Sequence, residues 1–317
     1  MKVLVTGGAG FIGSHIVDEL IKEGADVIVV DNLSTGCLDN VNSKAKFYEI
    51  DIRDEELKGV FAEQDIDYVI HQAAQIDIQK SIQEPTFDAQ NNIEGTINLL
   101  EACREYKVKK IIYASSAAVY GSPEYLGIDE EHPVKPISLY GISKHTPEHY
   151  IKTYKQLYDL DYTILRYANV YGPRQDPKGE GGVISIFVDA MLEGKKPTIF
   201  GDGQQTRDFI YVKDIAQANL AALKRADNKV LNISCHTQTS INELVTEMNQ
   251  ILGSNLEADY EDERPGDIRH SYLTNQKAIK QLDWQPEYDL ETGLRRTLTY
   301  YQEIYQAKEE IAVDKGE

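Results

Sequence analysis

The residues that most restrict this chain stand at its start. An apolar, β-branched run, Lys2-Val3-Leu4-Val5-Thr6, empties directly into Gly7-Gly8-Ala9-Gly10-Phe11-Ile12-Gly13. Gly8, Gly10 and Gly13 satisfy G-x-G-x-x-G, and Gly7, Gly10 and Gly13 satisfy G-x-x-G-x-x-G. Apolar residues at helical spacing continue over 15–22. A strand, a glycine loop and a helix in that order let backbone amides and a helix N-terminus receive a pyrophosphate. The same glycines would also suit a flexible turn, but the strand before and the helix after favour the phosphate site. A second strand-like run ends at Asp31, about 20 residues beyond the loop, where an acid accepts hydrogen bonds from an adenosine ribose. A carboxylate there repels a 2′-phosphate, so NAD is expected rather than NADP. Taken by itself, Asp31 reads equally well as a turn residue.

Further short apolar runs repeat the pattern. Lys2–Thr6, Asp26–Asp31, Lys46–Glu49 and the segments 68–72, 110–115 and 163–166 read as strands; 15–22, 95–106 and 140–158 carry helical periodicity. Continuous apolar strands separated by helices imply a parallel sheet covered on both faces, a doubly wound α/β domain of the Rossmann type. After Gly172 the texture changes to a charged, glycine-rich loop over 173–182, a helix over 183–193, a Gly-Asp-Gly turn at 201–203 and a strand over 208–212. The run 230–234 reads as a strand that rejoins the first sheet. Ile241–Leu252 and 291–306 look amphipathic, and 307–317 reads as a mobile tail. The expected division is a nucleotide-binding domain of 1–172 with about 208–236, and a smaller, interleaved α/β domain of about 173–207 with 237–306.

Composition narrows the function. A formal charge of −19 argues against a nucleic-acid surface or an anionic membrane as partner. Any anionic ligand must then be met by a few local arginines. Cys37, Cys103 and Cys235 are odd in number and lack a CxxC pair, which fits a reducing compartment and neither a disulfide framework nor a zinc site. No apolar run approaches a membrane span and no signal sequence precedes the first strand, so a cytoplasmic location is expected. Cys235-His236 reads as packing, with no metal role.

Tyr140-Gly-Ile-Ser-Lys144 places a phenol and an ammonium on one helix face. A free tyrosine titrates near pH ~10, and making it a base at neutral pH requires about 4 kcal/mol of phenolate stabilisation. A lysine cation beside it, with the positive charge of an oxidised nicotinamide, is a source of that energy. Alone, the spacing recurs by chance and also fits two solvated residues on a surface helix.

Taken in order, Thr6 to Gly13, Asp31-Asn32, Asp51-Ile52, His71-Gln72-Ala73-Ala74, Ser115-Ser116, Tyr140-x-x-x-Lys144, Arg166-Tyr167-Ala168-Asn169, Arg207-Asp208-Phe209 and Arg264-Pro265-Gly266-Asp267 resemble an extended short-chain dehydrogenase/reductase of the nucleotide-sugar epimerase kind. The resemblance covers nearly the whole chain. It implies that NAD is held by Gly7, Gly10, Phe11, Ile12, Gly13, Asp31, Asn32, Ser34, Thr35, Gly36, Asp51, Ile52, Gln72, Ala73, Ala74, Gln75, Asn91 and Tyr167, with Tyr140 and Lys144. It implies Tyr140, Lys144 and Ser116 as the catalytic set. Asn169, Gly182, Val183, Thr198, Ile199, Phe200, Arg207, Arg264 and Ser271 fall on the substrate side, where arginine's fork suits a diphosphate.

Family members share oxidation at the sugar C4 and differ in the fate of the keto intermediate. Dehydratases carry an Asp-Glu pair just after the serine, and decarboxylases a glutamate. Here Ala117 and Ala118 fill those places, so the resemblance implies reversible hydride transfer alone, and hence C4 epimerisation of a UDP-hexose through a 4-keto intermediate. Ser271 stands where a bulky residue excludes N-acetyl sugars in some members, so UDP-GlcNAc and UDP-GalNAc are expected as additional substrates, unless the serine simply packs on the surface. A UDP-uronate, net reduction of a 4-keto sugar, and a non-catalytic NAD sensor are the alternatives. The catalytic helix commonly joins a dimer interface in this family, so a homodimer is expected. Pro147 is a departure, because proline three residues after Lys144 removes an amide donor and kinks helices.

Overall fold

The computed structural model describes residues 1–177, 182–263 and 268–315, with side chains through residue 307. In chain order the first half runs β1 Lys2–Thr6, α1 Phe11–Lys22, β2 Asp26–Asp31, β3 Lys46–Glu49, α2 Leu57–Gln64, β4 Tyr68–His71, α3 Ile78–Gln83, α4 Pro85–Ala89, α5 Gly95–Glu105, β5 Lys110–Ser116, α6 Leu139–Tyr158 and β6 Asp161–Tyr167. The second half runs β7 Asn169–Tyr171, α7 Val183–Leu192, β8 Thr198–Phe200, β9 Thr206–Arg207, β10 Phe209–Tyr211, α8 Val212–Lys224, β11 Lys229–Ile233, β12 Thr239–Ser240, α9 Ile241–Leu252, β13 Asp259–Glu261, α10 Gln276–Ala278 and α11 Leu290–Lys315.

Seven strands form one sheet in the order β11-β6-β5-β4-β1-β2-β3, and every pairing in it is parallel. The chain winds from β1 outward through β2 and β3, then restarts at β4 on the other side of β1. The crevice above the β1–β4 boundary is therefore the switch point where doubly wound sheets bind ligands. Alternate side chains explain the two covered faces. Val3, Val5, Val27, Val29 and Leu165 pack with Ile16, Leu20, Ile215 and Ala218 of α1 and α8. Leu4, Ile28, Val30, Val69 and Ile111 pack the opposite way, on Leu57, Phe61, Leu99 and Ile151 of α2, α5 and α6.

β11 joins this sheet beside β6, as the run near 230 suggested. The substrate side holds a separate core of Phe187, Ile199, Phe209, Tyr211, Leu244, Met248, Leu294 and Leu298. Three two-stranded sheets, β7 with β10, β8 with β13 and β9 with β12, tie its pieces together. α11 continues as helix through Lys315, past the amphipathic stretch 291–306 and into the expected tail. The segment Ala307-Lys-Glu-Glu-Ile-Ala-Val-Asp-Lys315 is rich in strong helix formers, which favours propagation of a helix already nucleated by packing.

Candidate active site

The glycine loop is built for close approach. Gly7 has φ +68°, and a Cβ placed on it would lie 2.6 Å from the Ala73 amide nitrogen. A Cβ on Gly13 would lie 2.0 Å from the Gly7 carbonyl oxygen. Side chains at either position would push β4's outgoing loop or the start of α1 away from the crevice. At the end of β2, Asp31 is buried, and its two carboxylate oxygens accept the amides of Ala9 at 3.0 Å and Leu33 at 2.9 Å. Burial pushes this carboxyl up from its ordinary value, while the two amides offset part of that rise. Each oxygen keeps a further lone pair for a hydroxyl donor.

Fifteen of the expected cofactor residues line one cleft: Gly7, Gly10, Phe11, Ile12, Gly13, Asp31, Asn32, Ser34, Thr35, Asp51, Ile52, Gln72, Ala73, Ala74 and Asn91, joined by Val30, Ile50 and Ile76. Gly36 is one shell behind, since a Cβ there would meet Asp31 Oδ1 at 2.9 Å. Gln75 is not in the wall. Its amide is spent on Asp88 Oδ1 at 2.8 Å and on the Asp77 backbone, which shapes the loop after β4. Asn91 belongs to a π-helical turn, Gln90–Glu94, of the kind often found at functional sites. The next residue, Asn92, ties the Gln75 backbone to Ser143 of α6.

Arg53 was not anticipated. It forks Asp51 at 2.8 and 2.7 Å, and Asn32 donates to the same carboxylate at 2.7 Å. The Arg53 fork is the largest influence on Asp51 and holds its carboxyl down at about 2, against the opposing effect of burial.

A second cavity shares Phe11, Ile12 and Ile76 with this cleft and is lined by Ser115, Ser116, Tyr140, Tyr167, Asn169, Gly182 and Val183 among others. Ser116 ends β5 and its side chain accepts the Ala118 amide at 3.2 Å. Tyr140 stands at the start of α6, which Ser138 caps by accepting the Gly141 amide at 3.0 Å. A Cβ on Gly141 would lie 2.7 Å from the Ala118 carbonyl oxygen, so the glycine in Tyr-Gly-Ile-Ser-Lys lets the helix start settle against the turn after Ser116.

Lys144, one helical turn further, is buried with Nζ 4.7 Å from the Tyr113 ring centre. Burial lowers its ammonium to about 7, although the Asp88 and Glu148 carboxylates pull the other way. Pro147 leaves α6 continuous over Leu139–Tyr158, and Lys144 remains one turn from Tyr140 on the buried side. Tyr167 accepts from Gln72 at 3.0 Å and Asn219 at 2.8 Å, so its hydroxyl organises the floor between the cleft and the cavity.

The remaining expected substrate residues lie outside this inner cavity. Thr198, Ile199 and Phe200 form β8, and Ile199 is turned into the core. Arg207 on β9 is half-buried and donates to the Thr206 carbonyl at 2.8 Å. The Ser271 amide reaches the same carbonyl at 3.2 Å, so these two residues flank one point. Arg264 lies outside the described residues. Gln175 is an addition the sequence did not mark; it is 6% exposed and lines the inner cavity beside Gly182.

Glu148 is a third addition, after Arg53 and Gln175. It accepts Ser115 Oγ at 2.7 Å and the Arg166 fork at 2.9 and 2.6 Å, entirely out of solvent. Its signal was present, because Tyr140, Lys144 and Glu148 succeed one another at intervals of four on one helix face. Asp208 is likewise structural. It accepts the amides of Cys235 at 3.0 Å and Leu273 at 3.2 Å, clamping three distant segments, and burial raises its carboxyl to about 7.

A cradle that admits only glycine, an acid at the end of the second strand, and a serine and tyrosine lining the adjoining cavity with a lysine buried one helical turn behind have one shared chemistry. They define a dinucleotide-dependent oxidoreductase fold that works on a hydroxyl carbon, and the described residues fit NAD. The family model described as "NAD dependent epimerase/dehydratase family" matches residues 3–234, and the chain belongs to that family. NAD is the cofactor that this membership assigns.

A UDP-glucose 4-epimerase of Mycolicibacterium smegmatis is 41% identical over 308 residues, 95% of this chain and 98% of that protein. The solved structure of a UDP-glucose 4-epimerase with UDP-glucose from Thermotoga maritima is 46% identical with a TM-score of 0.94, over 96% of this chain and all of the other. A UDP-N-acetylglucosamine 4-epimerase from Methanobrevibacter ruminantium M1, solved with UDP-N-acetylmuramic acid, is 39% identical with a TM-score of 0.91, over 96% of this chain and 98% of that one. Among the described residues no helix is long and apolar enough to cross a membrane.

Proposed function

We propose that this chain is an isomerase that interconverts UDP-glucose and UDP-galactose at C4 through a 4-keto intermediate. The observation that carries the reading is the shared wall of Ser116 and Tyr140, with Lys144 buried behind and alanines at 117 and 118. Bound NAD supplies the reversible hydride exchange at C4. Tyr140 takes the proton of the 4-hydroxyl and later returns it; Ser116 holds that oxygen; Lys144 stabilises the phenolate and steadies the cofactor ribose. The chemistry ends there, because no carboxylate stands just after Ser116 to drive elimination.

The inner cavity wall contains no charged side chain among the described residues. Such a wall suits a neutral sugar that must turn over, and it speaks against a uronate, whose C6 carboxylate would want a cation. The nucleotide end is assigned to the N-terminus of α7 at Gly182 and Val183, with Asn169, Arg207 and Arg264 as its partners. The resemblance sets the small Ser271 where a bulky residue would exclude an N-acetyl group, and a structural relative named for UDP-N-acetylglucosamine supports that wider range. The proposed division remains 1–172 with 208–236, and 173–207 with 237–306, although Phe209 and Tyr211 pack in the substrate-side core and Ala278, Leu282 and Trp284 pack under the main sheet. A cytoplasmic homodimer, joined along the exposed Leu139, Ile142 and Tyr150 of α6, completes the reading.

The deciding experiment tracks UDP-glucose, UDP-galactose, both N-acetyl counterparts and UDP-glucuronate by NMR, with no added reductant. Interconversion of the hexose pair is expected. Turnover of none of them by protein that carries NAD would overturn the proposal, and consumption of added NADH would favour a reductase. Ser271→Tyr should abolish N-acetyl turnover selectively.

A further inference from the structure

Three consecutive residues between β7 and α7 are each fastened to a different side chain. Pro173 offers its carbonyl to His15 Nε2 at 2.9 Å, Arg174 Nη1 stands 2.8 Å from Asp18 Oδ2, and the Gln175 carbonyl accepts the Tyr301 hydroxyl. His15 and Asp18 belong to α1, which opens at the glycine cradle, and Tyr301 belongs to α11. We infer that His15, Asp18 and Arg174 form a positioning latch through which α1 sets the Gln175 side of the inner cavity, and that this latch keeps the 4-keto sugar on the enzyme until it is reduced again. The inference rests on the epimerase reading of that cavity.

The backbone shows why the segment needs fastening. Arg174 has φ +69°, a left-handed conformation in which a Cβ crowds the following carbonyl. Such a conformation persists where the surroundings over-determine it. Here the contacts on Pro173 and Gln175 hold it from both sides, and the Asp18 ion pair holds it from the middle. That pair is close but has no aligned N–H, so it acts through charge and is lost when either partner is neutralised. The strained turn delivers Gln175, buried, into the cavity that Ser116 and Tyr140 line, where its Nε2 donates to the Val170 carbonyl at 3.3 Å.

The two α1 residues face both halves of the site. A carbonyl only accepts, so His15 Nε2 carries the proton toward Pro173, and the buried Nδ1 has no hydrogen-bond partner among the described residues. The same ring meets Phe11 edge-on with centres 6.2 Å apart, and Phe11 lines both the cofactor cleft and the inner cavity. Asp18 spends its other oxygen on Asn42, in the segment after β2, at 2.8 Å. One carboxylate therefore ties the cofactor-side loop and the sugar-side loop to one helix. The chemistry gives this tie a task. On oxidation C4 passes a hydride to NAD and the 4-hydroxyl passes its proton to Tyr140, which leaves a neutral keto sugar held by its nucleotide and by the cavity walls. Escape at that point strands the enzyme in its reduced form, with no sugar to reoxidise it.

The test compares Asp18→Asn and Arg174→Ala with their double variant, all carrying NAD. Asp18→Asn keeps an oxygen for Asn42 and loses the charge that faces Arg174. Each single variant should lower kcat/KM for UDP-galactose at least about tenfold, since a misplacement of roughly 1 Å costs up to about 10². The double variant should lose no more than either single, because both remove the same pair. Arg174→Lys, which keeps the cation, should recover part of the loss. During turnover the single variants should accumulate reduced nicotinamide by absorbance and free 4-keto UDP-sugar by NMR, several times faster than wild type. A smaller share of folded enzyme would not produce that. Without sugar, amide exchange over 174–176 should quicken in both while exchange over the glycine cradle stays as in wild type. Losses that add in the double variant, or single variants with wild-type exchange and no excess of reduced enzyme, overturn the latch and leave the epimerase reading intact. Wild type that turns over no UDP-sugar would instead fail that reading, and the retention role with it.

Discussion

Glu148 and Arg166 offer the sharpest perturbation of the site that avoids its reacting groups. Their side chains are 0% and 4% exposed, and two hydrogen bonds of 2.9 and 2.6 Å join them as a fork. The Ser115 hydroxyl adds a third bond at 2.7 Å, and Arg166 also donates to Tyr120 at 3.0 Å. The pair stitches α6, which carries Tyr140 and Lys144, to the strand end that carries Ser116. Removing one member strands the other charge in the interior, which costs about 3–5 kcal/mol; replacing both with apolar groups costs far less. Glu148→Gln and Arg166→Met should each lose about that much in urea unfolding. The double variant should recover most of it, giving a coupling of several kcal/mol.

Activity should track the geometry. In Glu148→Gln, kcat for UDP-galactose should fall at least about tenfold with KM nearly unchanged, because Lys144 loses one of its two carboxylates and α6 loses its tether. The pH dependence has a definite sign. Burial pushes the Glu148 carboxyl up, but the Arg166 fork, His145 and Ser115 outweigh it and hold it well below the usual range. A depressed carboxyl contributes stability that is complete above its unfolded value and is lost as pH falls below that value. Wild type should therefore lose more stability between pH 5 and pH 3 than the double variant does. A Glu148→Gln protein within about 1 kcal/mol of wild type, or a double variant whose loss equals the sum of the singles, would refute the argument.

Three further outcomes are expected. Tyr140→Phe should lower kcat by about 10²–10⁴, the usual worth of a positioned acid/base, while UDP and NAD still bind in calorimetry. Gly13→Ala should purify without NAD, measured by absorbance of the released nucleotide, because its Cβ would stand 2.0 Å from the Gly7 carbonyl oxygen. Asp31→Asn should narrow the preference for NAD over NADP in reconstitution by at least about tenfold, since a neutral amide no longer repels a 2′-phosphate.

The central sheet was legible because parallel strands buried on both faces leave continuous apolar runs, and Lys2–Thr6, Asp26–Asp31 and Lys46–Glu49 emerge with those bounds. The cleft was legible for a related reason. Backbone crowding at Gly7 and Gly13 excludes every other residue type, so the local sequence records the ligand's shape. The helix Val212–Lys224 was overlooked between two strand-like runs, although it covers α1. Of the small sheets only β10 was anticipated, by the strand-like run 208–212, and the other strands of two and three residues were beyond reach. β9 pairs β12 across about thirty intervening residues, and nothing local in Thr206-Arg207 marks a strand.

The same contrast explains why the two halves of the site were legible to different degrees. The cofactor half hangs on one βαβ unit and its neighbours, where spacing along the chain translates directly into spacing in space. The substrate half is assembled by Asp208, whose carboxylate gathers the amides of residues 235 and 273, and by Thr206, whose carbonyl receives both Arg207 and Ser271. A buried acid and a backbone oxygen carry no sequence periodicity. Apart from the neighbouring Arg207, their partners lie about 30 to 65 residues away and are chosen by the folded core between Phe187 and Leu298. The buried Glu148 belongs between these cases: its interval from Lys144 was visible, but only the strand partners Ser115 and Arg166 make it more than a charged helix residue. Sugar selectivity should therefore respond to loss of the Asp208 carboxylate, which never touches the sugar, and not to the side chain at 206, where the backbone carbonyl is the organising group, whereas cofactor selectivity should respond chiefly to residues that do touch NAD. Measuring kcat/KM for the hexose and N-acetylhexosamine pairs in Thr206→Val checks this. The carbonyl at 206 remains in that variant, so the ratio should stay within about twofold, and a larger change would show that the Thr206 side chain, through its 3.0 Å contact with His270, sets the wall.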